Sequence, residues 1–135
     1  MASKTLLSIL ALACLALTAA GCSSDNSPAT VDTMPPAVPS NLDGEAYLGT
    51  VTLSWAPNTT DADFAGFKVD RTCNDVTVHL ISQPQNVTSV MDSDPPLGYN
   101  VYAVTAVDRN GNESAYATLG LMVQFHHPSG EPGME

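Results

Sequence analysis

The stretch that most constrains how this chain folds is Val51–Arg71, VTLSWAPNTTDADFAGFKVDR. In Thr50–Trp55 the residues Val51, Leu53 and Trp55 fall on one face, and Thr50, Thr52 and Ser54 on the other. A period of two with β-branched residues predicts a strand half buried in a sheet. Pro57–Asp63 is turn material, after which Phe67 and Val69 resume the alternation between Lys68 and Asp70. Trp55 is the single tryptophan, and one large aromatic on such a strand can seed the core between two sheets.

Further strand signals recur at short intervals. An edge strand is predicted at Val38–Leu42, flanked by prolines that suit an edge and not a central strand. Val76–Ile81 follows the turn Cys73-Asn74-Asp75, and Val87–Met91 is bounded by polar and proline-containing turns. Tyr99–Asp108 is the longest, with Tyr102, Val104 and Ala106 on one face. Asn110-Gly111 reads as a hairpin turn, since both residues accept positive φ, and Ala115–Val123 returns beside the long strand. Seven short strands without helical periodicity predict an all-β antiparallel sandwich.

The ends of the chain read differently. Lys4 precedes an apolar run, Leu6–Leu17, of signal-peptide length and shorter than the about 20 apolar residues of a membrane span. Thr18-Ala19-Ala20-Gly21-Cys22 resembles the lipobox of bacterial lipoproteins, with Ala19 in place of the usual leucine. The resemblance implies cleavage of a signal peptide, residues 1–21, and a lipid on Cys22 that anchors the protein to a membrane. An ordinary secretory signal cut after Ala20 or Gly21 is the competing reading. Residues 22–34 are rich in Ser, Thr, Asp and Pro and predict a flexible linker, and the stretch Ser23–Pro36 would reach at most about 45–50 Å. Residues 124–135 are expected to form a disordered tail. Ser23, not aspartate, follows the cysteine, which favours sorting to the outer membrane.

Composition excludes some functions. A net charge of −10 with four Lys and Arg leaves no basic patch for nucleic acid. Cys14 leaves with the signal and Cys22 takes the lipid, so Cys73 has no intramolecular partner and reads as a small residue at a strand end.

Four segments, PPAVPSNL, VTLSWAP, DADFAGFKVDR and YAVTAVDRNGNES, resemble a bacterial fibronectin type III domain over residues 35–123. The resemblance implies a seven-stranded, immunoglobulin-like sandwich of a three-stranded and a four-stranded sheet. It matches Trp55 and Phe67 to core aromatics and Val104-x-Ala106-x-Asp108 to the end of the sixth strand; alternation adds Val69 and Tyr102 to a core of Trp55, Phe67, Val69, Tyr102 and Val104. The family's sixth strand begins with a tyrosine that bonds back to the backbone. Asn100 stands at that position here and Tyr99 is one residue off, so either a bulge brings Tyr99 round or the corner is lost.

Chemistry-bearing motifs are few. Asp61 and Asp63 in a turn read as side chains bonding their own backbone. Asp108-x-Asn110-x-Asn112 copies the opening of a calcium loop, but Glu113 replaces its glycine and Leu119 its closing glutamate. His126-His127 has no third ligand at zinc-like spacing. No metal, cofactor or catalytic group is expected. The chain reads as a non-enzymatic, membrane-tethered binding or adaptor module of the bacterial cell envelope, with a protein or glycan partner. A structural spacer without its own ligand is the alternative. Loops and edges carry recognition on such scaffolds, and Arg109, Asn110, Gly111 and Asn112 are the expected contact residues, Arg109 as the anchor.

Overall fold

The computed structural model describes residues 30–124. The expected signal peptide (residues 1–21), Cys22, His126-His127 and all but the first residue of the expected tail lie outside the described residues. The compact unit that starts at Val31 holds seven strands. They are β1 (Asp43–Tyr47), β2 (Thr50–Ser54), β3 (Phe64–Cys73), β4 (Val76–Gln85), β5 (Ser89–Asp92), β6 (Gly98–Asp108) and β7 (Ala117–Val123). One sheet runs β1-β2-β5 and the other β4-β3-β6-β7, with every pairing antiparallel. This is the antiparallel sandwich that the strand pattern predicts, with the three-plus-four division that the fibronectin type III resemblance implies.

The alternation read in the sequence decides what is buried. Val51, Leu53 and Trp55 face Phe67, Val69, Tyr102, Val104 and Ala106 across the sandwich, and all eight are buried. In the β3–β6 register Phe67 lies beside Ala106, a large side chain next to a small one, and Val69 lies beside Val104. Trp55 meets Phe67 edge-on, with centroids 5.6 Å apart and planes at 75°, a favoured aromatic geometry. The main chain of Trp55 is also held, its N–H donating to the Thr88 carbonyl at 2.9 Å.

Two hairpins close on two-residue turns. Asn74 and Asp75 both have positive φ (48° and 63°), the conformation that matches the strand twist. Leu48 and Gly49 do the same between β1 and β2, with φ of 47° and 77°. Gly66 is required by a close approach: a Cβ there would lie 2.5 Å from the Gln85 nitrogen, where β4 crosses over β3 beside two register shifts.

Four strand readings are corrected. The first strand is Asp43–Tyr47, not Val38–Leu42. Asn41 has φ 55° and breaks the extension, while Ala37 donates its N–H to the Asp61 carboxylate and not to a strand. The Val76–Ile81 strand continues to Gln85, because Pro84 sits on a sheet edge where no ladder donor is needed. The Val87–Met91 strand begins later, at Ser89, and runs to Asp92. Asn110-Gly111 does not close a tight hairpin. Only Gly111 has positive φ, and β7 starts at Ala117, so Arg109–Tyr116 form a longer loop.

Candidate functional site

The sandwich has two poles, each built by loops that the register brings together. At the first, Phe64 pairs with Asp108, so the turn before β3 adjoins the loop after β6. Arg109 donates its backbone N–H to the Asp63 carbonyl at 3.0 Å. Asp108 organises the loop: Oδ1 accepts from the N–H groups of Asn110 and Asn112, each at 2.8 Å, and Oδ2 from Asn112 Nδ2 at 2.7 Å. Burial opposes the charge of Asp108, and these bonds, the Asn112 side chain first, outweigh it and hold its pKa below the usual value. Asp61 is held low in the same way by Asn58 Nδ2 and the Ala37 N–H. Asp61 therefore does not bond its own backbone as expected; it ties the turn to Ala37, and Asn58 takes the local role, its Oδ1 accepting from the Thr60 and Asp61 N–H groups at 3.1 Å.

Asp63 does something the sequence did not disclose. With Asp32 and Asp108 it forms a set of three carboxylates whose oxygens lie within 4.8 Å of one another. A hydrogen bond with Asp32 raises the pKa of Asp63, burial adds to this, and the charges of Asp108 and Asp32 push in the same direction. Such a set has cation-binding spacing, but both oxygens of Asp108 are engaged by the loop. Asn112 Nδ2 also bonds the Asp32 carbonyl at 3.1 Å, so the chain enters the domain at this pole. Among the expected contact residues, Arg109, Asn110 and Gly111 are exposed, whereas Asn112 is committed to Asp108 and Asp32.

The opposite pole carries a cleft of about 490 Å³ lined by Leu48, Gly49, Asp94–Leu97, Val123 and Gln124. Its rim is apolar: Leu48 is 63% exposed and Leu97 46%, with Tyr47 and Met122 exposed beside them. Leu48 is also strained, since a leucine in left-handed backbone is uncommon and Asn or Gly would relieve it. An exposed, strained leucine in a hairpin turn is a local cost that folding does not require. That Leu48-Gly49 turn was the signal in the sequence that could have revealed this pole.

The cleft wall is fastened at both ends. Asn100 is fully buried, and its Nδ2 donates to the carbonyls of Pro96 at 2.8 Å and Gly98 at 3.1 Å. Asn100 thus bonds back to the backbone two and four residues upstream, at the position where the resemblance leads one to expect a tyrosine. Tyr99 does not come round; it is exposed, beside Met122 on the outer face. The other end is tied to a buried ion pair between the sheets. Arg71 Nη1 on β3 donates to Asp92 Oδ2 on β5 at 2.7 Å and to the Asp94 carbonyl at 3.3 Å. Tyr102 Oη on β6 donates to the same Asp92 oxygen at 3.0 Å. Burial, then the Asp92 carboxylate, raises the Tyr102 pKa far above the ordinary range, so the hydroxyl remains a donor. The remaining reactive side chains lie apart. Cys73 is buried at the end of β3, and His79 pairs with Asp70 at 2.7 Å on the exposed face of the sheet.

No family model matches the sequence, and no curated protein matches it. Solved structures do. The spore cortex lytic enzyme SleM of Clostridium perfringens superposes with a TM-score of 0.52 at 21% identity, over 66% of this chain and 29% of that one. A bacterial orthologue of human α-L-iduronidase gives 0.54 at 29% identity, over 65% of this chain and 15% of that one. An Fn3-like protein from Clostridium thermocellum gives 0.50 at 21% identity, over 76% of this chain and 99% of that one. The likeness is one of fold, and this chain spans only a fraction of the two enzymes. Strand order and these superpositions together define a fibronectin type III or immunoglobulin-like β-sandwich.

Proposed function

We propose that this protein is a non-enzymatic adaptor of the bacterial cell envelope, held to a membrane by lipid on Cys22, that presents the Leu48–Leu97 cleft to a protein partner. The observation that carries this reading is the cleft itself: apolar, walled by a loop fixed at both ends, and rimmed by a leucine kept in a strained turn. A wall ordered before binding lowers the cost of ordering it on binding. Leu48, Pro95, Pro96 and Leu97 suit an aliphatic side chain of a protein better than the hydroxyls of a glycan. Orientation supports the same reading. The span from Cys22 to Asp32 reaches at most about 33–36 Å, and Asp32 is bonded at the pole away from the cleft. The tether therefore joins the domain at the Asp32 pole and leaves the cleft at the other pole unobstructed by it. Titratable groups are engaged structurally, Asp108 in its loop and Arg71 with Asp92, which supports a role in binding and not in catalysis.

Crosslinking in native envelope tests this with three variants. Leu48→Asn suits the turn, so the domain stays folded while the cleft loses its rim. Capture of the crosslinked partner should fall at least tenfold in Leu48→Asn and persist when Arg109–Asn112 are replaced by a Gly/Ser turn. The reverse pattern moves the site to that loop. Capture of peptidoglycan fragments alone replaces the protein partner by a glycan, and no capture by any form makes the protein a spacer. Cys22→Ser should shift the protein from the membrane to the soluble fraction, and unchanged partitioning would refute the anchor.

A further inference from the structure

The margins of the two sheets are not equivalent. Gly44 of β1 lies against Leu119 of β7, so these two margins shield one another along one side of the sandwich. β5 is a four-residue margin containing Asp92, and β1 carries Asp43 and Glu45. β4 is a ten-residue margin, Val76–Gln85, hydrogen-bonded among the described residues to β3 alone and without Asp, Glu, Lys or Arg in a chain of net charge −10; its one titratable side chain, His79, is paired with Asp70 of β3. Natural edges are commonly blunted by charge, and this one is not.

The turn fixes which backbone groups of β4 are open. Cys73 and Val76 flank the two-residue turn and form its hydrogen-bonded pair, so Arg71 and Val78 are the next such pair. Thr72–Thr77 and Asp70–His79 are the intervening, closer pairs. Their side chains accordingly touch, at 2.8 Å between the threonine hydroxyls and 2.7 Å between His79 and Asp70. The N–H and C=O of Thr77 and His79 therefore point away from β3, off the sheet. Val76 and Val78 share the core-side face of the sheet with Cys73 and Arg71, yet are 64% and 39% exposed. The opposing sheet does not reach them.

We propose that this edge pairs with β4 of a second copy of the chain, antiparallel, about a two-fold axis at Val78. The pattern is self-complementary there. Thr77 faces His79 of the other copy and His79 faces its Thr77, each pair exchanging two hydrogen bonds, with the two Val78 side chains opposed in the close pair between them. Val76 of each copy gains an apolar neighbour in Leu80 of the other. A heterologous contact would not close, whereas this one does. Like charges opposed across strands destabilise pairing, so the acid-free margin is the one at which two copies of net charge −10 can meet. The axis lies near the Asn74–Asp75 end of β4, so the chain-entry poles point to opposite ends of the pair. The β1–β7 side with its cleft stays open.

The test uses the full-length chain in detergent, with Cys22→Ser as background for cysteine variants. Sedimentation should show a concentration-dependent dimer, which Val78→Lys converts to monomer, with at least a tenfold rise in dissociation constant and no change in melting temperature at concentrations where both forms are monomeric. Val78→Cys should form an intermolecular disulfide on mild oxidation, and Val76→Cys should not, because Val76 lies far from its own copy across the axis. A wild-type monomer at every accessible concentration overturns the proposal. So does a dimer indifferent to Val78→Lys, or one that Val76→Cys crosslinks as readily as Val78→Cys.

Discussion

Replacing Asp92 by alanine should be among the most damaging single changes in this domain. Asp92 is 6% exposed, and one of its oxygens holds both the Arg71 guanidinium and the Tyr102 hydroxyl. Truncation leaves a cation that is 8% exposed without its counter-charge and a fully buried hydroxyl without its acceptor. Removing one partner of a buried ion pair costs about 3–5 kcal/mol. The orphaned tyrosine hydroxyl adds about 1–3 kcal/mol, less whatever repacking recovers. Against a total stability of about 5–15 kcal/mol this leaves the domain marginal or unfolded. In a domain of this size, each kcal/mol lowers the melting temperature by about 4–8 °C. Urea denaturation at neutral pH, followed by Trp55 fluorescence, reads the loss directly. Tyr102→Phe removes only one donor and should cost about 1 kcal/mol. Arg71→Met with Asp92→Leu removes both charges and should recover most of the loss in the Asp92→Ala variant. A loss below about 1 kcal/mol in Asp92→Ala would show that the ion pair is solvated and that the argument from burial fails.

Three further outcomes follow from other parts of the molecule. Trp55→Ala should destabilise by about 3–5 kcal/mol, measured by calorimetry, since the ring fills the space beside Phe67; a loss under about 1 kcal/mol would mean that the core does not rest on it. Gly66→Ala should cost about 1–3 kcal/mol and speed hydrogen exchange at the Gln85 end of β4, because the nearest neighbours of the new methyl group are Pro84 and Gln85 backbone atoms that cannot swing away. The carboxylates of the chain-entry pole should give opposite pH signatures in urea midpoints. Asp61 and Asp108, with lowered pKa values, contribute stability that is present above the unfolded value of about 3.9 and lost as the pH falls through their folded values. Asp63, with a raised pKa, contributes stability present below that unfolded value and lost as the pH rises through its folded value. Asp63→Asn should therefore raise neutral-pH stability and Asp61→Asn lower it; the same sign for both would refute the assignment.

Local pattern determined much of this protein. Alternation alone identified Val51, Leu53, Trp55, Phe67, Val69, Tyr102, Val104 and Ala106 as core, because strand side chains alternate faces whatever lies opposite. Turn chemistry located the Asn74–Asp75 hairpin, since both residues tolerate left-handed backbone. The first strand was misplaced because the competitor for Ala37 is a distant side chain, Asp61, and no local rule sees it. The loop after β6 was read as a tight turn because Asn110-Gly111 favours one; the Asp108 carboxylate, which draws in the N–H groups of Asn110 and Asn112, settled it otherwise. Tertiary structure alone brought Asp32, Asp63 and Asp108 together, opposed Arg71 to Asp92 across the sheets, and folded Asn100 onto Pro96 and Gly98. It alone left β4 uncovered and set Leu48 beside Leu97. Periodicity specifies which way a side chain points from its own strand; which residue it meets depends on the register and packing of segments far apart in the chain.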